Sequence, residues 1–140
     1  MPVLKLHGRN IMTTYKKNMN KFGSKLLLAS FVVKGDLSLT KSRKIVDNII
    51  SEVGLRRVPG AVTYQYPHKG RGGNGYTFIQ PITDSFIAWD VWKDLGGGYL
   101  IICSCKLFWT SVVAKILRSN HLKITQTFCE GLCLDDVTEL

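Results

Sequence analysis

The sequence predicts an α+β protein, a two-layer sandwich in which a mainly antiparallel sheet carries two helices on one face. Three observations predict it. Six short segments, rich in branched and aromatic residues, have strand-like lengths. Two longer segments repeat their apolar residues every three to four positions, as one face of a helix does. Between the middle strands stand only turn signals, so those strands are neighbours joined by hairpins rather than by crossover helices.

Taken in order, residues 1–22 mix bases with scattered apolar residues and keep no sustained period. They read as a basic N-terminal extension, with Met12 and Met19 as alternative starts. Lys25 to Val33 is a strand, rich in Leu, Val and Phe and too short for a typical helix. Gly35-Asp36 gives a turn, and Ser38 or Thr40 can cap a helix over Lys41 to Val53. There Ile45, Ile49 and Val53 recur every four residues, Val46 and Ile50 widen the stripe, and Gly54 supplies the C-terminal glycine. Ala61 to Tyr66 is the second strand. Gly70-Arg71-Gly72-Gly73-Asn74-Gly75 is a loop that ends in a strong hairpin signal, Asn74-Gly75. Strands follow at Tyr76 to Ile82, Phe86 to Trp92 and Tyr99 to Cys105, with Gly96-Gly97-Gly98 separating the last two. Thr110 to Ser119 is the second helix, with Val112, Val113, Ile116 and Leu117 on one face and Asn120 as its stop. Leu122 to Phe128 is the last strand. The domain therefore spans residues 23–130, and 131–140 form an acidic tail. Because both helices lie on one side, the other sheet face is apolar and uncovered, and a homodimer through that face is expected.

Composition narrows the function classes. At 140 residues, 45% hydrophobic and 21% charged, the chain is one ordinary globular domain. No apolar run reaches the roughly 20 residues that span a bilayer, since Leu26 to Val33 is bounded by Lys25 and Lys34 and the run from Tyr99 ends at Lys106. There are 19 Lys+Arg against 10 Asp+Glu, a formal net charge of +9. No acid precedes Asp36, whereas Lys5, Arg9, Lys16, Lys17, Lys21 and Lys25 crowd the start. Such a stretch attracts nucleic acid or anionic lipid, although a solvated tail on a nearly balanced domain explains it more simply.

The cysteines, Cys103, Cys105, Cys129 and Cys133, all fall in the last third, and no long apolar leader opens the chain. A cytoplasmic thiol protein is expected. The tight knuckles of a four-thiolate zinc site are missing, and His7, His68 and His121 keep no ligand spacing, so no metal is expected. Gly70, Gly72 and Gly75 satisfy G-x-G-x-x-G, but a dinucleotide fingerprint must open a helix, and here a strand follows.

The segment from Pro81 to Asp94 is the informative one. Strand alternation puts Phe86, Ala88, Asp90 and Trp92 on one face, so Asp90 sits among apolar and aromatic neighbours and needs a partner there. Ser85 lies at the entry to that strand beside Asp84. Spacing alone makes these a turn serine and a strand acid.

The run Ile79-Gln80-Pro81-Ile82-Thr83-Asp84-Ser85-Phe86-Ile87, followed by Trp92, Asp94 and the strand to Cys105, resembles the core of the bacterial and archaeal S-adenosylmethionine decarboxylases. In that family a strand ends in Glu-Ser-His, continues through a His and a Trp-Pro-Glu, and leads to a strand closing on Thr-Cys. The likeness takes in Gly23-Ser24-Lys25-Leu26-Leu27, both helices and the element order, from Phe22 to Glu130. It implies the same sandwich fold and a chain that cuts itself. The family's serine attacks the preceding carbonyl, the resulting ester breaks by β-elimination, and a pyruvoyl group is left on the new N-terminus. That group serves as an electron sink while carbon dioxide leaves S-adenosylmethionine, a step of spermidine and polyamine biosynthesis. By position, Ser85 is the pyruvoyl precursor and Asp84 the last residue of the small chain. Thr77 stands for an assisting serine, and Cys105 is the proton donor to the decarboxylated carbon. Asp94 replaces the glutamate on the ribose hydroxyls, and Tyr64 or Tyr66 replaces the aromatic residue that stacks on adenine.

Three positions depart from the pattern. The processing histidine five residues after the serine is Asp90, the histidine directly after the serine is Phe86, and Pro-Glu is Lys93-Asp94. A histidine carries protons near neutral pH, and an aspartate is a much weaker base. The sequence thus ranks first a decarboxylase-like protein that has lost or slowed self-processing while keeping a pocket for S-adenosylmethionine or a related amino acid. An active pyruvoyl enzyme, cleaved between Asp84 and Ser85, ranks second. A basic nucleic-acid-binding module acting through residues 1–22 ranks third.

Overall fold

The computed structural model describes residues 25–66 and 74–133. Its elements are β1 (Lys25–Lys34), α1 (Leu39–Val53), β2 (Val62–Gln65), β3 (Gly75–Ile82), β4 (Ser85–Trp92), β5 (Gly97–Ser104), α2 (Thr110–Ser119) and β6 (Lys123–Cys133), with a 3-10 turn at Lys93–Leu95. Helices and strands follow one another as the sequence predicts. The expected basic extension, residues 70–73 of the glycine loop, His7, His68 and the tail beyond 133 lie outside the described residues.

The six strands form one sheet in the order β2-β3-β4-β5-β1-β6, and every neighbouring pair is antiparallel. Alternation then sorts the side chains. Leu27, Ala29, Phe31 and Val33 of β1, Ile87, Trp89 and Val91 of β4, and Leu100 and Ile102 of β5 bury themselves against Ile45, Val46 and Ile49 of α1 and Val113 and Leu117 of α2. Polar groups on this side are paired, as burial requires. The Trp89 indole donates to the Ser42 carbonyl at 3.1 Å, and the Tyr76 hydroxyl meets Ser42 and the carbonyl of Leu37.

Local signals set the helix ends. The Ser38 hydroxyl accepts the Lys41 N–H at 3.1 Å, so Ser38 rather than Thr40 is the cap. Gly54 closes α1 at φ 72°, a left-handed conformation that glycine adopts without penalty. Two strands differ from expectation. β5 takes in Gly97 and Gly98, which the sequence marks as a separator. A Cβ at Gly97 would stand 2.1 Å from the Val33 carbonyl oxygen, so this glycine marks close strand contact rather than a break. β6 runs on to Cys133 because it pairs along all of β1, and it therefore crosses the expected boundary at 130.

Among the described residues, no helix lies over the opposite face of the sheet. One register row, Val62, Ile79, Ala88, Ile101, Ser30 and Phe128, crosses all six strands on that side. The cysteines divide between the faces. Cys129 is buried opposite Ala29, where burial and then the charge of Glu130 push its thiol up to about 11. Cys103 lies opposite Leu28 and Phe86 on the open side, and Cys105 is exposed beyond the end of β5. Among the described residues, no group of three His, Cys, Asp or Glu could hold a metal ion, and no helix is long and apolar enough to cross a membrane.

Candidate active site

The β3–β4 turn is Thr83-Asp84, and Ser85 follows it with φ 151°, a backbone conformation that strains any residue carrying a Cβ. The carbonyl oxygen of Asp84 accepts the backbone N–H of Cys105 at 3.0 Å. Ser85 thus meets the end of β5, where it pairs with Ser104, and the exposed Cys105 follows directly. A strap after α1 holds the turn from the other side. Thr83 donates its N–H to the Arg56 carbonyl at 2.9 Å, and Val58 donates to the Pro81 carbonyl at 3.0 Å. Gln80, buried at 1% exposure, ties both together by donating to the Val58 and Pro81 carbonyls, and it accepts from Arg57, which pairs with Asp47.

Asp90, Thr77, Tyr64 and Tyr66 gather at the far end of the open face. Tyr64, Thr77, Asp90 and Tyr99 form one register row across β2, β3, β4 and β5. The Tyr66 hydroxyl lies 2.9 Å from the Thr77 hydroxyl, which donates to the Asp90 carboxylate at 3.5 Å. The partner that the sequence demands for Asp90 is therefore Thr77, with Tyr66 behind it. Tyr66 stacks on Trp92 at 5.9 Å and 19°, and Tyr64 meets Tyr66 edge-on at 5.2 Å. Asp94 stands in the 3-10 turn just beyond, where Asn74 donates to it at 3.2 Å. A recess of about 420 Å³ nearby is lined by Gly35, Asp36, Leu37, Lys93 and Gly96, and none of the sequence-predicted site residues lines it.

The predicted residues thus fall into two groups within one chain. Ser85, Asp84 and Cys105 occupy one end; Thr77, Asp90, Asp94, Tyr64 and Tyr66 occupy the other. Five residues of strand separate Ser85 from Asp90, or about 16 Å at the usual rise. Sequence reasoning missed the Cys105 amide, because a main-chain donor leaves no mark on residue identity. It also missed Tyr99 and Asn74, which only cross-strand register and the folded turn bring beside Asp90 and Asp94.

No protein-family model matches the chain, and no curated protein matches it either. Its fold is shared with the crystal structure of the adenosylmethionine decarboxylase from Aquifex aeolicus VF5, at a TM-score of 0.57 and 14% sequence identity. The match covers 84% of this chain and 95% of that one. The sandwich is therefore an S-adenosylmethionine decarboxylase-like fold, as the resemblance implies.

Proposed function

We propose that this chain is an S-adenosylmethionine decarboxylase-like protein with lost or impaired self-processing, which pairs open face to open face as a homodimer and binds S-adenosylmethionine or a related amino acid. One observation supports the reading: Ser85 is strained and the Asp84 carbonyl oxygen holds the Cys105 N–H, whereas Asp90 stands where the family carries its processing histidine.

Attack by the Ser85 hydroxyl on the Asp84 carbonyl would place negative charge on an oxygen that already holds the Cys105 N–H. Turning that peptide into an ester would also release the strain at Ser85. Two protons must move, one from the hydroxyl and one from the Ser85 α-carbon. No described side chain hydrogen-bonds the Ser85 hydroxyl. In a two-fold pair with its axis across the strands, the Ser85 end of one protomer would face the Asp90 end of its partner, and an aspartate there is a much weaker base than a histidine. The pyruvoyl group, once formed, would supply the electron sink for decarboxylation. In this reading Asp94, which accepts from Asn74, would also accept from ribose hydroxyls, and Tyr64 and Tyr66 would offer rings to a planar base.

Strain at Ser85 and the amide on the carbonyl favour the second reading, an active pyruvoyl enzyme, and intact mass under denaturing conditions separates the two. A single full-length mass, stable over days, is expected. Two fragments divided between Asp84 and Ser85, the larger with a pyruvoyl N-terminus, would overturn the processing-deficient reading. In that case Ser85→Ala should abolish cleavage, and Cys105→Ala should leave cleavage intact but impair turnover. If the wild-type chain stays whole, Asp90→His is expected to produce cleavage.

A further inference from the structure

The Asp90 end has a property that the decarboxylase reading does not use. A carboxylate stands there beside a cluster of aromatic side chains. Tyr99 is its direct neighbour on β5, and Trp92 is the next residue along β4 on the same face. Tyr66 stacks on Trp92, and Tyr64 packs edge-on against Tyr66. Glycines make this arrangement possible. Trp92 is flanked by Gly75 on β3 and Gly97 on β5, so no side chain stands beside its ring in the register row. Tyr66 reaches across Gly75 to stack on it, and on the other flank the Lys34 side chain passes over Gly97 to donate to the Leu95 carbonyl at 3.0 Å. Both glycines are obligatory, since an added Cβ would stand 1.9 Å from the Val91 carbonyl oxygen at Gly75 and 2.1 Å from that of Val33 at Gly97.

In the single chain this cluster reaches the surface. Tyr64 is 57% exposed and Tyr99 43%, while Trp92, Tyr66 and Asp90 are half-buried. Among the described residues Asp90 makes no ion pair, and its single hydrogen bond is the long one from Thr77. One carboxylate without a cation, set among electron-rich ring faces, is the chemistry that recognises an organic cation. The faces attract positive charge, and the alkyl groups of such a cation lose little by leaving water.

We propose that Asp90, Tyr64, Tyr66, Trp92 and Tyr99 form a binding site for a small organic cation with an alkylated ammonium head. The site needs only the geometry of this end of the open face, and it stands whether or not the chain cleaves itself. Choline and its uncharged isostere 3,3-dimethylbutan-1-ol have the same shape and differ in charge. Each is titrated into the full-length protein while the Trp92 indole N–H resonance is followed by NMR.

Choline is expected to shift that resonance saturably, and the isostere to bind at least tenfold more weakly. Asp90→Asn, which keeps size and shape, should weaken choline at least tenfold. Tyr66→Leu should do the same, with the remaining amide spectrum of each variant reporting that the fold is kept. Equal binding of the two compounds, or choline affinity unchanged in Asp90→Asn, would overturn the proposal. Intact mass, measured on the same sample, reports on self-processing separately.

Discussion

At the Ser85 end the contacts that hold the turn are mainly between main-chain amides and carbonyls, whereas at the Asp90 end, about 16 Å away along β4, the groups that meet are side chains from the β2–β5 side of the sheet. The difference bears on what a divergent chain keeps. An N–H such as that of Cys105 is present whatever residue but proline occupies the position, provided that the strand ends there. A fold shared at 14% identity fixes where strands run more firmly than which side chains they carry. The Asp90 end has no such protection, because each side chain can be exchanged without moving a strand. Under the proposed function, the half of the site made by the fold would be kept and the half made by side chains would have changed.

The sharpest way to break that comparison is to disturb the platform under the side-chain end. Gly75→Ala forces a Cβ to within 1.9 Å of the Val91 carbonyl oxygen, at the Trp92 end of the β3–β4 ladder. The strands must part or twist, and Tyr66 loses its place over Trp92. A loss of about 3 kcal/mol in unfolding free energy is expected by urea titration. A loss below about 1 kcal/mol would mean that the ladder yields readily and that the ring cluster does not rest on a rigid base.

At the Ser85 end the corresponding probe is Gln80→Leu. Leucine fills the space but cannot donate to the Val58 and Pro81 carbonyls or accept from Arg57. A buried acceptor left without its donor costs about 1–3 kcal/mol, so a loss of about 2 kcal/mol is expected. Hydrogen exchange makes the test local. The Thr83 and Cys105 amides, which bond across the turn, should exchange faster in the variant than its global destabilisation alone requires. Exchange that merely tracks the global loss would show that the strap stabilises the domain without holding the Ser85 turn.

How much of this the sequence carries depends on whether a feature is local. The α2 helix falls at Thr110–Ser119, as predicted, and α1 has its Ser38 cap and Gly54 stop, because period and caps are written in neighbouring residues. The insertion of β1 between β5 and β6 is not written that way, since any of several strand orders satisfies the same apolar pattern. The strand role of Gly97 and Gly98 is hidden for a related reason, because a glycine looks the same whether it breaks a strand or lets two strands meet. In the site, alternation alone places Asp90 and Trp92 on one face. The Tyr99 neighbour, the Thr77 hydrogen bond and the Asp84–Cys105 contact all depend on register.

The smallest effect expected is also the most discriminating. Thr77→Val removes the hydroxyl that links Tyr66 to Asp90 and keeps the volume. If this end is an open cluster of side chains, water replaces the lost bonds at the half-buried Tyr66 and Asp90, and the loss should be about 0.5–1 kcal/mol by urea titration. Thr77→Ser, which keeps the hydroxyl, should recover most of the hydrogen-bonding part of that loss. A cost above about 2 kcal/mol would indicate a closed network in which Asp90 depends on Thr77 as a buried group does. The two ends would then be equally built into the fold, and the idea that only the Ser85 end is secured by structure would fail. A loss within the expected range leaves Asp90 with a weakly committed carboxylate, which is the condition for a cation to compete for it.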